Sequence, residues 1–264
     1  MSVVVINLMP DIQTYEREMR EALYESGVSK DSIKWAKLRT KVYREKGSES
    51  LPSYYSYIDE LFETDVQINT VIVTGAPVEH LEFNEIQYWV ELRNVITHCL
   101  SKKIKLLGIC WGALAVAQVI GIKKANLDKK VFGVYQQKIT KSNSGLFEPH
   151  DYLLSPFSIA AIFSESCVSR AQSEQKITVH ATSSEVGPSL VSAQNGNVLM
   201  SLGHFEYAPE RLKNEWIRDT EKGKELQSLP ENYCIQTHSP CWKEDSKNFF
   251  GSWLRQEQSS IIEH

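Results

Sequence analysis

The 264-residue chain has no surplus of positive charge: 29 Lys and Arg stand against 33 Asp and Glu, a formal net charge of −4. A nucleic-acid binder normally shows a basic excess or stripe, so that class is set aside. No apolar run approaches the ~20 residues needed to span a bilayer, which sets aside a membrane-embedded protein. The N-terminal Met-Ser-Val-Val-Val-Ile-Asn-Leu lacks the basic n-region and small-residue cleavage site of a secretory signal. There is no Cys-x-x-Cys pair. Cys99, Cys110, Cys167, Cys234 and Cys241 are scattered and odd in number, which argues against a disulfide framework or a structural metal site. Internal repeats, low-complexity stretches and Gly/Ser-rich linkers are also missing. What is present is the ordinary mix of a globular protein, 42% hydrophobic and 23% charged, in a chain long enough to bury a sizeable core. These features point to a cytoplasmic enzyme built as one domain over residues 1–264, with small-molecule partners and neither nucleic acid nor membrane among them.

The apolar pattern places a strand at Val3–Ile6, a charged amphipathic helix from Gln13 to Glu25, and a second strand at Ile33–Leu38. Residues 40–58, with Gly47, Pro52 and Tyr43, Tyr54, Tyr55 and Tyr57, read as a long loop. A buried strand follows at Val71–Val73. Next comes a helix from Glu82 to Leu100 with Phe83, Ile86, Trp89, Val90 and Ile96 on one face. Ile104–Ile109 is another buried strand and Trp111–Ile120 a small apolar helix. This alternation implies parallel strands joined by crossovers, hence an α/β fold of three α/β/α layers around a mostly parallel sheet. Later strands are expected at Val131–Ile139, Ile177–Ala181, Leu190–Ala193 and Val198–Leu202, partly antiparallel, before a helix from Pro209 to about Glu221. The last forty residues read as irregular.

Gly108-Ile109-Cys110-Trp111-Gly112 sits where a buried strand turns into a helix. Small residues on either side of a nucleophile permit the sharp strand-to-helix turn that exposes it. The helix N-terminus can stabilise a thiolate, and the Trp111 N–H can donate to an oxyanion. An ordinary buried core cysteine fits the pentapeptide equally well. A thiolate nucleophile needs a base, and the base an orienting partner. Of the histidines at 80, 98, 150, 180, 204, 238 and 264, His204 stands at the end of an apolar strand, with Glu206 two residues on. Positions i and i+2 of an extended segment point the same way, so the carboxylate can reach the imidazole. Ligands in open α/β sheets bind beyond the carboxyl ends of the strands, where Cys110 also lies.

Gly-x-Cys-x-Gly with a later His-x-Glu resembles the class I glutamine amidotransferase-like folds. Further motifs narrow the likeness: Asn7-Leu8-Met9-Pro10, Thr74-Gly75-Ala76-Pro77, Glu82-Phe83 with Tyr88-Trp89, Phe132-Gly133-Val134-Tyr135 and Gly203-His204-x-Glu206-Tyr207. They run in the order seen in the homoserine O-acyltransferase family, whose members are called O-succinyltransferases or O-acetyltransferases. The resemblance covers about residues 3–255. It implies that Cys110 accepts the acyl group of an acyl-CoA, His204 is the general base and Glu206 its partner. It also implies that Lys130 is an active-site lysine and that Arg218, fourteen residues after His204, holds the amino-acid carboxylate. A guanidinium can do so through two bonds. The resemblance further implies a homodimer, no bound cofactor or metal, and loss of the family's N-terminal arm, since the first strand opens at residue 3.

Glu79 stands where the family separates its donors: members with Gly there resemble succinyltransferases, members with Glu acetyltransferases. A carboxylate near the acyl pocket would repel the free carboxylate of a succinyl group, so acetyl-CoA is the expected co-substrate. The acceptor is less defined. Asp11 replaces a family Lys after Asn-Leu-Met-Pro, and Pro149-His150 is followed by Asp151-Tyr152 instead of Ser-Arg. Such changes could suit L-serine, on the way to cysteine, in place of L-homoserine, on the way to methionine; Asp151 is the residue expected to shift that choice. A glutaminase or amidase with the same Cys-His-Glu set is the competing class.

Overall fold

The computed structural model describes residues 2–43, 51–64, 67–140, 151–221, 228–237 and 241–256. β1 (Val3–Ile6) is buried at every position, as an apolar run without polar alternation requires of an interior parallel strand. It pairs in parallel with β2 (Ile33–Lys37) on one side and β4 (Thr70–Val73) on the other. The parallel array continues through β5 (Lys105–Ile109) to β10 (Val198–Ser201). Helices α1 (Ile12–Glu25), α3 (Trp89–Ser101) and α4 (Trp111–Val119) lie in the connections that such pairing demands. Beyond β10 the pairing turns antiparallel through β9 (Gly187–Ala193), β8 (Ile177–Ser183), β6 (Lys124–Ile139) and β7 (Tyr152–Phe163). With β3 (Tyr55–Tyr57) at one edge, the strand order among the described residues is β3-β2-β1-β4-β5-β10-β9-β8-β6-β7.

Four features differ from the sequence expectations. Within the expected loop, β3 (Tyr55–Tyr57) adds an edge strand parallel to β2, and Tyr55 is buried with its hydroxyl bonded to Asn7 and Glu16; Gly47 lies outside the described residues. The expected helix from Glu82 begins only at Trp89, after a short 3-10 turn at Phe83–Glu85, and Val90 faces solvent. β7 was not anticipated, because Pro156 interrupts its apolar run and proline cannot donate to a ladder. Its place at the sheet edge tolerates that missing donor. The expected irregular tail contains α7 (Lys243–Arg255), which buries Phe249, Phe250, Trp253 and Leu254.

The end of α7 is held from the far side of β5. Lys105, the first residue of β5, is almost wholly buried, and its ammonium donates to the Trp253 carbonyl at 2.8 Å. It also reaches the carbonyls of Leu254 and Gln256. The last carbonyls of a helix have no intrahelical donor, so a buried cation there satisfies them and complements the helix dipole. Lys105→Met should therefore loosen α7 and lower stability by about 1.5–3 kcal/mol, the usual worth of hydrogen bonds to a charged group. Urea unfolding of the two proteins measures the difference.

Candidate active site

Cys110 lies between β5 and α4 with φ 53° and ψ −117°, a backbone region that non-glycine residues rarely occupy. The flanking glycines make this possible. A Cβ at Gly108 would stand 2.5 Å from the Gly112 carbonyl oxygen, and one at Gly112 would stand 2.2 Å from that of Val73. The Cys110 N–H donates to the Ser201 carbonyl at 2.7 Å, tying the elbow to the end of β10. His204 is the third residue after β10, its N–H donating to the Pro156 carbonyl of β7 at 2.8 Å. A Cβ at Gly75, after β4, would be 3.4 Å from both the Cys110 Cβ and the His204 Cε1, so the thiol and the imidazole flank the same glycine.

His204 Nδ1 lies 2.7 Å from Glu206 Oε1, and both side chains are buried. A carboxylate at Nδ1 fixes the tautomer in which Nε2 is the acceptor. Nε2 is itself buried without a hydrogen-bond partner among the described residues. The Tyr207 ring stacks on the imidazole at 4.0 Å and 21°. The thiol points elsewhere, towards Glu79 Oε1 at 3.8 Å and the Ser158 carbonyl at 4.0 Å. Burial pushes the Cys110 thiol well above its ordinary range, Glu79 adds to that, and the Trp111 N–H only partly opposes it. The helix N-terminus was expected to lower this pKa; desolvation outweighs it.

Behind His204 lies a cluster of buried acids around one arginine. Glu215 of α6 (Arg211–Glu221) accepts from Ser158 Oγ at 2.6 Å, Tyr207 OH at 2.9 Å and Arg211 Nε at 3.2 Å. Burial opposes its charge, but Arg211, then Lys130 and Arg218, hold its carboxyl down at about 2. Arg211 also faces Glu18 at 3.5 Å. Burial nevertheless pushes Glu18 up to about 8, against the pull of Arg211. Sequence reasoning missed Tyr15, Glu18, Ser158, Arg211 and Glu215. Of these, only Arg211 and Glu215 carried a signal, as charges spaced four apart on a helix that must bury one face. Among the described residues no group of three or more His, Cys, Asp and Glu side chains is arranged to hold a metal.

The chain matches the homoserine O-succinyltransferase family over residues 1–260. It belongs to that family. A homoserine O-acetyltransferase of Bacillus cereus is 29% identical over 261 residues, covering 96% of this chain and 84% of its own. One from Bacillus thuringiensis subsp. konkukian is 28% identical with the same coverage. Among solved structures, a glutamine amidotransferase from Thermotoga maritima superposes with a TM-score of 0.67 at 18% identity, covering 96% of each chain. A glutamine amidotransferase from Methylobacillus flagellatus gives 0.59 at 11% identity, covering 100% of this chain and 98% of its own. These likenesses establish the class I glutamine amidotransferase-like α/β fold.

The fold brings most of the family-derived residues to one place. Glu79 is against the thiol, and its backbone carbonyl is held by the Lys124 ammonium at 2.7 Å. Lys130 sits in the irregular stretch of β6, 3.7 Å from Asp219, and Arg218 Nε donates to the same carboxylate at 2.8 Å. Trp111 offers only its backbone, because its indole is buried against Phe83 and Tyr88. Asp151 is not brought to the site. It is exposed just before β7, seven residues from Ser158, roughly 23 Å along an unbroken strand register. Pro149 and His150 lie outside the described residues. Asp11 is exposed before α1, and its charge acts on Arg211.

Two outcomes test this arrangement. His204→Ala and Cys110→Ala should each abolish turnover, and the double variant should be no worse than either, because members of one catalytic unit fail together. Multiplicative losses in kcat/KM would separate them. The second outcome concerns Glu18. Its folded pKa is raised, so between about 4.5 and about 8 the folded protein keeps a proton that the unfolded chain has lost, and stability falls as pH rises through that window. Glu18→Gln should flatten that decline in urea titrations at pH 5 and pH 8.

Proposed function

We propose that the protein transfers an acetyl group from acetyl-CoA, through a thioester on Cys110, to the side-chain hydroxyl of L-homoserine. His204 Nε2 takes the thiol proton as sulfur attacks the acetyl carbonyl, and returns it to the departing CoA sulfur. It then takes the proton of the acceptor hydroxyl as that oxygen attacks the thioester, and Cys110 leaves and recovers the proton. Both attacks develop an oxyanion within reach of the Trp111 N–H at the start of α4. Arg218, a third exposed beside Asp219, is the group for the acceptor carboxylate, with Lys130 adjoining it.

One observation supports acetyl as the donor group: Glu79 Oε1 lies 3.8 Å from the nucleophilic sulfur. Burial raises the Glu79 carboxyl, while its own N–H, Lys130 and His204 pull it back. A succinyl carboxylate brought to ~4 Å at an effective dielectric of ~20 would cost about 4 kcal/mol, whereas acetyl brings no charge. The Bacillus relatives are homoserine O-acetyltransferases, which agrees with acetyl. For the acceptor, the exposed position of Asp151 removes the main departure that favoured L-serine, which leaves Asp11 alone. Serine is one methylene shorter, a difference worth only ~1–3 kcal/mol in a pocket that admits both.

Acetyl-CoA alone should acetylate Cys110, seen as a mass increase that persists until L-homoserine is added. Rapid release of acetate without an acceptor would identify a hydrolase instead. The wild type should prefer acetyl-CoA to succinyl-CoA, and Glu79→Gly should raise succinyl use at least tenfold in kcat/KM. A wild type that prefers succinyl-CoA would overturn the electrostatic reading of Glu79, and an acceptor screen with both donors decides between L-homoserine and L-serine.

A further inference from the structure

Helix α1 carries a side chain into the back of the Cys-His-Glu set. Tyr15 is fully buried, and its hydroxyl donates to Glu206 Oε1 at 2.9 Å. That oxygen is the one bonded to His204 Nδ1 at 2.7 Å. The other carboxylate oxygen, Oε2, is buried and has no hydrogen-bond partner among the described residues. Two donors from different elements thus converge on a single oxygen and leave its twin unused.

We propose that Tyr15 is a positioning residue of this enzyme, locking the Glu206 carboxylate so that His204 presents Nε2 towards the thiol. The inference rests on His204 being the base. A terminal carboxylate torsion is soft and roughly two-fold, so one hydrogen bond leaves Glu206 free to rotate and exchange its oxygens. A second donor on the same oxygen removes that freedom. Tyr15 suits the task because burial and the adjacent Glu206 push its hydroxyl well above its ordinary range, so it remains a donor. It is also carried on a fixed element. The Asn7 side chain donates to the Ile12 carbonyl at 3.3 Å, tying the turn after β1 to the first residue of α1. The charged and titratable groups around the pair are Glu18 one turn along α1, Tyr207 on the imidazole, and Arg211 and Glu215 on α6. Tyr207 and Arg211 bond to Glu215, and Arg211 also pairs with Glu18, so Tyr15 is the donor that these neighbours leave to Glu206.

The test is Tyr15→Phe in the full chain, assayed with acetyl-CoA and L-homoserine beside His204→Ala. Proton NMR of protein labelled with nitrogen-15 histidine follows the His204 Nδ1–H. The expected result is a fall in kcat of at least tenfold with both KM values within twofold, and a downfield move of that resonance as Oε1 retains only one donor. An unchanged kcat with an unmoved resonance overturns the proposal. If His204→Ala keeps its activity, the reading of the base fails instead. Should Tyr15→Phe not fold, 3-fluorotyrosine at position 15 keeps the shape with a stronger hydroxyl donor. It should move the resonance upfield, and no movement would overturn the assignment.

Discussion

The conformation at Cys110 is the constraint on which the site depends. Holding a non-glycine residue at φ 53° and ψ −117° costs about 1–3 kcal/mol and persists only where the surroundings impose it. Three features impose it here. Gly108 and Gly112 remove the side chains that would collide with the backbone of the elbow and of β4. The Ser201 carbonyl receives the Cys110 N–H, and the Cys110 carbonyl in turn accepts from Ala113 and Leu114 in the first turn of α4. The sulfur is therefore lifted out of β5 at the start of a helix, and β10, which fixes the elbow, leads straight into His204. Cys110 and His204 are positioned by one parallel strand pair.

That arrangement sets an electrostatic problem, because the buried region carries more acid than base. Glu18, Glu79, Glu206 and Glu215 surround the thiol and imidazole, while Arg211 is the cation buried among them. Charged groups out of water are tolerated only when paired, so the acids must divide their roles. Glu215 takes Arg211 and stays ionised. Glu18 also faces Arg211, but burial keeps its proton on up to about 8. Glu206 has two hydrogen-bond donors instead of a cation. Glu79 lies against the thiol, and burial together with that carboxyl pushes the sulfur's pKa up.

Much of this was legible in the sequence, and the rest was not for physical reasons. The unbroken apolar runs of β1, β4, β5 and β10 read directly as buried parallel strands, and the two glycines around Cys110 announced the elbow. His204 and Glu206 followed from strand-end spacing alone. β7 was hidden by Pro156, although that strand supplies the carbonyl that holds His204 and the serine that bonds Glu215. Tyr15 and Glu18 look like ordinary members of a charged amphipathic helix, because a pattern shows which face is buried and not what it is buried against. The cap on α7 joins Lys105 to residues almost 150 positions away, a distance over which no local pattern speaks. Asp151 shows the limit of a family pattern. A departure from a family pattern marks a difference, and only the fold shows whether it lies near the chemistry.

Burial also bears on why such a site would transfer an acyl group and not hydrolyse it. Cys110, His204 and Glu206 are 3%, 1% and 2% exposed, so a thioester formed there is shielded from bulk water. An acceptor that enters must displace what water remains and present its hydroxyl to the Nε2 that faces no other partner. Its carboxylate has a reason to enter at the Lys130–Arg218–Asp219 corner, where the Arg218 guanidinium is a third exposed and Lys130 adjoins it, with Asp219 and the nearby Glu215 as their acids. Water has no group to place there. Placement of the hydroxyl by a distant carboxylate anchor is the kind of binding energy that raises reaction rate, since it is used to orient the attacking atom. A hydrolase needs no such anchor. Lys130 and Arg218 beside Asp219 are therefore the groups through which the proposed acceptor would be told from water.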